Sequence, residues 1–229
     1  MKNYYKAYEN RYSIVHNTGE LWETTKPTKE VYEAIKKYKI KGQILDLGCG
    51  EGRDAIYLLE KGYNILALDY STSAIKKCNE LTNNKYINNF RQFDIFEDEL
   101  NEKYDFIYSV AVVHMFLLEQ HRKKYYEFIY NHLKKDALAL IISLGNGKEE
   151  YKTNIEDAFK TVKRININTN SQIEVTATSC YVKPISKMIE EIQKYNLTII
   201  EHKIVNDLPN FVQCEYFIVK KYGRNKWKI

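Results

Sequence analysis

The decapeptide Ile44–Arg53, ILDLGCGEGR, constrains this chain more than any other stretch. An apolar run closes at Leu47, and Gly48, Gly50 and Gly52 follow at alternate positions. A glycine-rich turn between a strand and a helix lets a ligand lie against bare backbone. Gln43–Leu47 reads as the strand, and Ala55, Ile56, Leu58 and Leu59 give Gly52–Lys61 helical spacing.

The same alternation continues along the chain. Asn64–Leu68 reads as a strand delivering Asp69, and Ser71 is placed to cap a helix running to about Leu81. Tyr86–Phe93 reads as a weaker strand ending at Asp94, and Tyr104–Ser109 as a strong one. Leu118–Leu133 has the pattern of a long amphipathic helix, and Ala137–Leu144 that of a buried strand. Apolar strands separated by helices imply a parallel sheet covered on both faces. The end of the chain differs. After a helix at Ile185–Tyr195, strands at Leu197–Val205 and Gln213–Lys220 are joined only by Asn206–Phe211. A parallel crossover needs a dozen or more residues, so this pair should be antiparallel. The expected fold is α/β: a doubly wound, mostly parallel seven-stranded sheet with an antiparallel C-terminal hairpin, one domain over residues 1–229. Residues 1–40 and 145–183 fall outside the repeat. Insertions after strand ends sit on the ligand side of such sheets, so these two segments are the expected substrate cap.

Composition narrows the function classes. With 44% hydrophobic and 28% charged residues the chain is ordinary for a globular protein. No apolar run reaches the ~18 residues of a membrane span, and the polar, aromatic start MKNYYKAYENRYS does not read as a signal peptide. A cytoplasmic location is the expectation. Cys49, Cys78, Cys180 and Cys214 form no CxxC pair and lie near no histidine at zinc spacing, so neither a metal site nor a disulfide framework is expected. The net charge of +5 is spread over lysines interleaved with acids, which argues against a nucleic-acid partner. A monomer or homodimer acting on a small molecule is the expectation.

Ligands of open α/β sheets lie outside the carboxyl ends of the strands. Asp46 and the glycine turn, Asp69 with Tyr70, and Asp94 with Ile95 come to that edge from successive strands. An acid ~20 residues beyond a glycine turn is placed to accept hydrogen bonds from ribose hydroxyls. Asp94 suits an exocyclic amine, so the site should take an adenosine. The dinucleotide fingerprint GxGxxG is absent: Arg53 stands where its third glycine belongs. Asp46, ahead of the turn, would disfavour a pyrophosphate and favour an ammonium. S-adenosylmethionine fits these residues and NAD fits poorly.

The stretch DLGCGEGRDAIYLLEKGYNILALDYSTSAI resembles the cofactor half of class I S-adenosylmethionine-dependent methyltransferases. GCGEGR, ALDYS and YDFIYSVAVVHMF are similar in particular to the tellurite-resistance, TehB-like group. The resemblance spans about residues 40–145, and 184–220 in outline. It implies that Asp46, Gly48 and Gly50 contact the methionine part, with Arg53 as a helper and Cys49 a small residue fitting the turn. Asp69 would hold the ribose hydroxyls, and Tyr70 would pack on the adenine. Asp94 and Ile95 would flank the adenine edge, and Ser109 would offer backbone near the methionine. His114, just past the fourth strand, is the candidate general base where the acceptor must lose a proton. Arg11, His16 and Trp22 are candidates to line the cap or to anchor it, Arg11 and Trp22 being taken with His114 as substrate residues. Three further readings stay open: methylation of a protein or nucleic acid, a binding module without catalysis, and an NAD-dependent enzyme, which tight NADH binding without S-adenosylmethionine binding would support. No NPPY-like tetrapeptide follows strand four, where SVAV stands.

Overall fold

The computed structural model describes residues 3–166, 168–208 and 211–222. Strand β1 (Gln43–Leu47) pairs in parallel with β2 (Asn64–Asp69) on one side and β4 (Tyr104–Val110) on the other. From there the sheet extends to β3 (Phe90–Gln92) beyond β2 and to β5 (Leu133–Leu144) beyond β4. The last two of its seven strands, β10 (Leu197–Leu208) and β11 (Phe211–Lys221), complete the order β10-β11-β5-β4-β1-β2-β3. β11 is antiparallel to both neighbours, as the short link required. Residues 209 and 210 of that link lie outside the described residues.

Helices cover both faces. On one side α2 (Lys29–Lys37), α3 (Arg53–Glu60) and α4 (Thr72–Leu81) bury Ile35, Leu58 and Cys78 against Ile44, Ile65 and Phe106. Ser71 caps α4 by accepting from the Ala74 amide at 3.0 Å. On the other side α5 (Glu119–His132) and α6 (Ile185–Lys194) bury Tyr125, Ile129 and Ile192 against Ile107, Ile141 and Phe217. Residues 145–183 form two small antiparallel ribbons, β6 (Tyr151–Lys152) with β9 (Tyr181–Val182) and β7 (Thr161–Ile165) with β8 (Gln172–Thr176). The N-terminal segment adds α1 (Ala7–Asn17) ahead of α2.

Four strands differ from their sequence reading, β10 and β11 by running into the expected link, to Leu208 and from Phe211. Only Phe90–Gln92 pairs where Tyr86–Phe93 was expected, because Ile87–Asn89 is a 3-10 turn, its Asn89 backbone amide donating to the Tyr86 carbonyl at 2.8 Å and its side-chain Nδ2 to the Ile65 carbonyl at 2.7 Å. β5 starts at Leu133 instead of Ala137, since Leu133 already pairs with Tyr104 across a register shift.

A fully buried ion pair holds the segment after β4. Arg122 on α5 is bidentate to Glu191 on α6, at 2.7 and 2.6 Å, and its third nitrogen donates to the Val113 carbonyl at 2.7 Å. Glu215 on β11 is buried as well, but neither carboxyl oxygen has a well-formed hydrogen bond. Burial pushes its pKa up to about 7, with Arg122 and the Gly147 amide pulling the other way. The folded state therefore binds a proton more tightly than the unfolded one. This contribution to stability is full below the unfolded pKa near 4.5 and is lost as pH rises through about 7. Glu215→Gln is expected to be more stable than the parent by about 2–3 kcal/mol at pH 8 and nearly equal to it at pH 4.5. Denaturant melts at the two pH values measure it, and a difference that does not depend on pH contradicts it.

Candidate functional site

A cavity of about 360 Å³ opens at the carboxyl ends of β1, β2 and β4, within the range of small-molecule sites. Its floor is the glycine turn. The Gly48 and Cys49 amides both donate to the Leu68 carbonyl, at 2.8 and 2.9 Å, folding the turn back over β2. Gly48 sits at φ 83°, and a Cβ there would lie 2.3 Å from a Val112 methyl. Gly50, at φ 55°, would place a Cβ 2.3 Å from Glu23 Oε1. Glycine is thus required for conformation and for space.

Asp69 braces the turn from β2. Its two oxygens accept from the Gly50 amide at 2.9 Å and from the Ser71 amide at 2.8 Å. Burial nonetheless raises its pKa to about 6. Asp46 is buried beneath, accepting from the Tyr108 hydroxyl at 2.9 Å, and burial also lifts its pKa well above the carboxylate range, with Asp54 adding to the rise. Glu23 accepts from the Tyr12 hydroxyl at 2.6 Å and lies 3.9 Å from the Arg53 guanidinium, its pKa raised to about 7 mainly by burial. Arg53 stands between Glu23 and Asp54. Four carboxyl groups therefore share one floor with one guanidinium. Burial makes ionisation of Asp46, Asp69 and Glu23 unfavourable, and a further cation facing them would favour it. This donor set and the glycine cradle fit an adenosyl cofactor bearing an ammonium and a sulfonium.

Tyr70, Asp94 and Ile95 line the same cavity. The Tyr70 hydroxyl donates to the Lys6 carbonyl at 2.7 Å, and its ring meets Tyr5 edge-on at 6.0 Å. Asp94 is met by Lys6 Nζ and the Tyr5 hydroxyl, both at 3.3 Å. Arg11 and Trp22 also face the cavity, Arg11 stacked over Trp22 at 4.6 Å and bonded through two nitrogens to the Thr176 carbonyl. His16 is bonded to Glu51 at 2.6 Å and anchors α1.

Three expected residues are not brought to the cavity. Gly50 is covered by Glu23 and Tyr12, and its amide donates to Asp69. The Ser109 hydroxyl donates to the Leu47 carbonyl at 3.0 Å inside the sheet, and the following residues Val110–Val112 form the wall. His114 lies in a 3-10 turn behind that wall, with the Leu144 amide 3.4 Å from its Nδ1. Burial and the nearby Arg122 charge drive its pKa down to about 3. Such an imidazole is a weak base at neutral pH.

Sequence reasoning passed over Glu51, Glu9 and the tyrosines in and just ahead of α1. Glu51, inside the turn, accepts from the Trp22 and Glu23 amides at 2.8 and 2.7 Å besides binding His16. Glu9 accepts from the Ser71 and Ser73 hydroxyls at 2.6 Å each, docking α1 on α4. Tyr5, Tyr8 and Tyr12 recur at helical spacing and all reach the cavity, a signal that was present in the sequence.

The sheet and its coverings recur in solved proteins. An S-adenosylmethionine-dependent methyltransferase from Clostridium acetobutylicum superposes with a TM-score of 0.65 at 15% identity, over 96% of this chain and 100% of its own. The 1,6-didemethyltoxoflavin-N1-methyltransferase of Burkholderia thailandensis gives 0.66 at 14%, over 92% and 85%. The architecture is that of the class I S-adenosylmethionine-dependent methyltransferases. In sequence, a family model described as tellurite resistance protein TehB matches residues 4–169. The chain belongs to the TehB family. A probable S-adenosyl-L-methionine-dependent methyltransferase TehB of Haemophilus influenzae is 32% identical over 102 residues, 44% of this chain and 35% of that protein. The match thus spans about a third of the length of that curated relative.

Proposed function

We propose that this chain transfers the methyl group of S-adenosylmethionine to a small-molecule acceptor. The acidic cavity floor carries the reading: buried carboxyls of raised pKa around a glycine cradle suit a cationic adenosyl ligand and little else. The cofactor, when bound, supplies a methyl already activated on a positively charged sulfur. Asp69 accepts from the ribose hydroxyls, Asp94 from the adenine amine, and Tyr70 with Ile95 flanks the base. Asp46 and Glu23 balance the positive charge. The aromatic wall of Tyr5, Tyr8 and Trp22 excludes water and holds the acceptor in place, where proximity accounts for much of the acceleration. Where the acceptor must lose a proton, Glu23 is the cavity carboxylate with a pKa near neutrality, whereas the His114 ring lies outside the cavity.

The small acceptor is supported by the partly enclosed cavity and by the similarly folded N1-methyltransferase, whose structure holds 1,6-didemethyltoxoflavin. No helix among the described residues is long and apolar enough to cross a membrane. A cytoplasmic monomer or homodimer without a nucleic-acid partner completes the proposal.

A screen of small acceptors scored by S-adenosylhomocysteine release tests the transfer. Cofactor affinity should rise about tenfold between pH 5.5 and pH 8, because Asp69 and Glu23 must ionise to face a cation. Calorimetry over that range checks this, and a flat profile contradicts it.

A further inference from the structure

We propose that the methyl acceptor is an apolar molecule carrying a carboxylate, and that Arg11 and Arg164 bind that carboxylate. The inference rests on the methyltransferase reading of the same cavity. The cavity is divided by charge. On its floor, Arg53 is flanked by Glu23 and Asp54. On the wall formed by α1 and β7, Arg11 and Arg164 both line the space, and no described carboxylate pairs with either. Arg11 is 5% exposed, and among the described residues its cation meets two ring faces, Tyr8 at 5.1 Å and Trp22 at 4.6 Å, and one backbone carbonyl. Burial lowers its pKa, and the like charge of Arg164 lowers it further.

Two guanidinium groups close enough to repel, one of them buried without an anion, are unfavourable until an anion arrives. The number of donors left over narrows the anion. Arg11 has committed Nε and one terminal nitrogen to Thr176, which leaves one nitrogen, while Arg164 is exposed and holds only the Lys163 carbonyl at 3.3 Å. One fork and one single donor match a singly charged carboxylate better than a doubly charged phosphate. Met115, Ile165 and Phe211 also line the space and call for an apolar body.

The test uses the full chain saturated with S-adenosylhomocysteine and a panel of aromatic and aliphatic acids, each paired with its neutral amide. Calorimetry reads binding, and product release with S-adenosylmethionine reads turnover. At least one acid should bind about tenfold more tightly than its amide, and Arg164→Gln should remove that advantage. Arg164 is exposed, so this variant should keep its fold. Arg11→Lys, which keeps the charge, should retain part of the advantage. S-adenosylhomocysteine affinity should be unchanged in both variants. Equal loss of cofactor and acid binding would assign the arginines to the cofactor and overturn the proposal. So would a panel in which no acid outbinds its amide, or one in which tellurite alone competes. If S-adenosylmethionine itself fails to bind, the methyltransferase reading fails first, and the two failures are distinguished.

Discussion

Asp69→Ala is expected to weaken S-adenosylmethionine binding about 100-fold. Two charge-assisted hydrogen bonds to ribose hydroxyls disappear, each worth roughly 1.5–3 kcal/mol, and the low end of their sum, about 3 kcal/mol, is a factor of about 100. The variant also frees the Gly50 and Ser71 amides that Asp69 now holds, so part of the loss comes through the glycine turn. Asp69→Asn separates the two contributions. It keeps one carbonyl acceptor for the turn while removing the charge, and should lose roughly tenfold. Calorimetric titration reads the affinities, and thermal melts without ligand check the fold. Unchanged binding in the alanine variant would remove the ribose assignment.

The second large effect lies away from the cavity floor. Glu191→Leu strands the Arg122 guanidinium, which is 1% exposed, and should destabilise the fold by about 3–5 kcal/mol. Arg122→Met combined with Glu191→Leu should recover most of that loss, because no unpaired charge stays buried. Recovery should stop short of the parent, since Arg122 also holds the Val113 and Phe116 carbonyls at 2.7 and 3.3 Å, and Lys183 loses its 3.0 Å contact with Glu191. Urea melts of the parent and the two variants decide the order. A single variant no worse than the double would show that this pair does not anchor the β4–α5 segment.

Much of the fold was legible because its signals are local. The run Gln43–Leu47 ended where the strand ends, and Ser71 capped α4 as its position required. Asp46, Asp69 and Asp94 meet in one cavity because parallel strands deliver their carboxyl ends to one edge. His114 and Ser109 show where such reasoning stops. Val113–Met115 is a three-residue turn, too short for periodicity to give its phase, and it directs Met115 to the cavity and His114 behind the wall. Ser109 is still within β4, where pleating turns its hydroxyl into the sheet. The docking of α1 was hidden for another reason. It depends on Glu9 and Glu51 reaching the Ser71 hydroxyl and the Trp22 amide across long sequence separations, and no repeat in the chain announces such contacts.

Glu51 joins two jobs in one side chain. It belongs to the glycine turn, yet its oxygens hold down residues 16–23 through His16, Trp22 and Glu23. A ligand sealed beneath that segment leaves only as fast as those bonds part. Its residence time is then governed by a carboxylate that does not border the cavity, and a change at Glu51 would be felt first in off-rates, before any equilibrium contact with the ligand is altered.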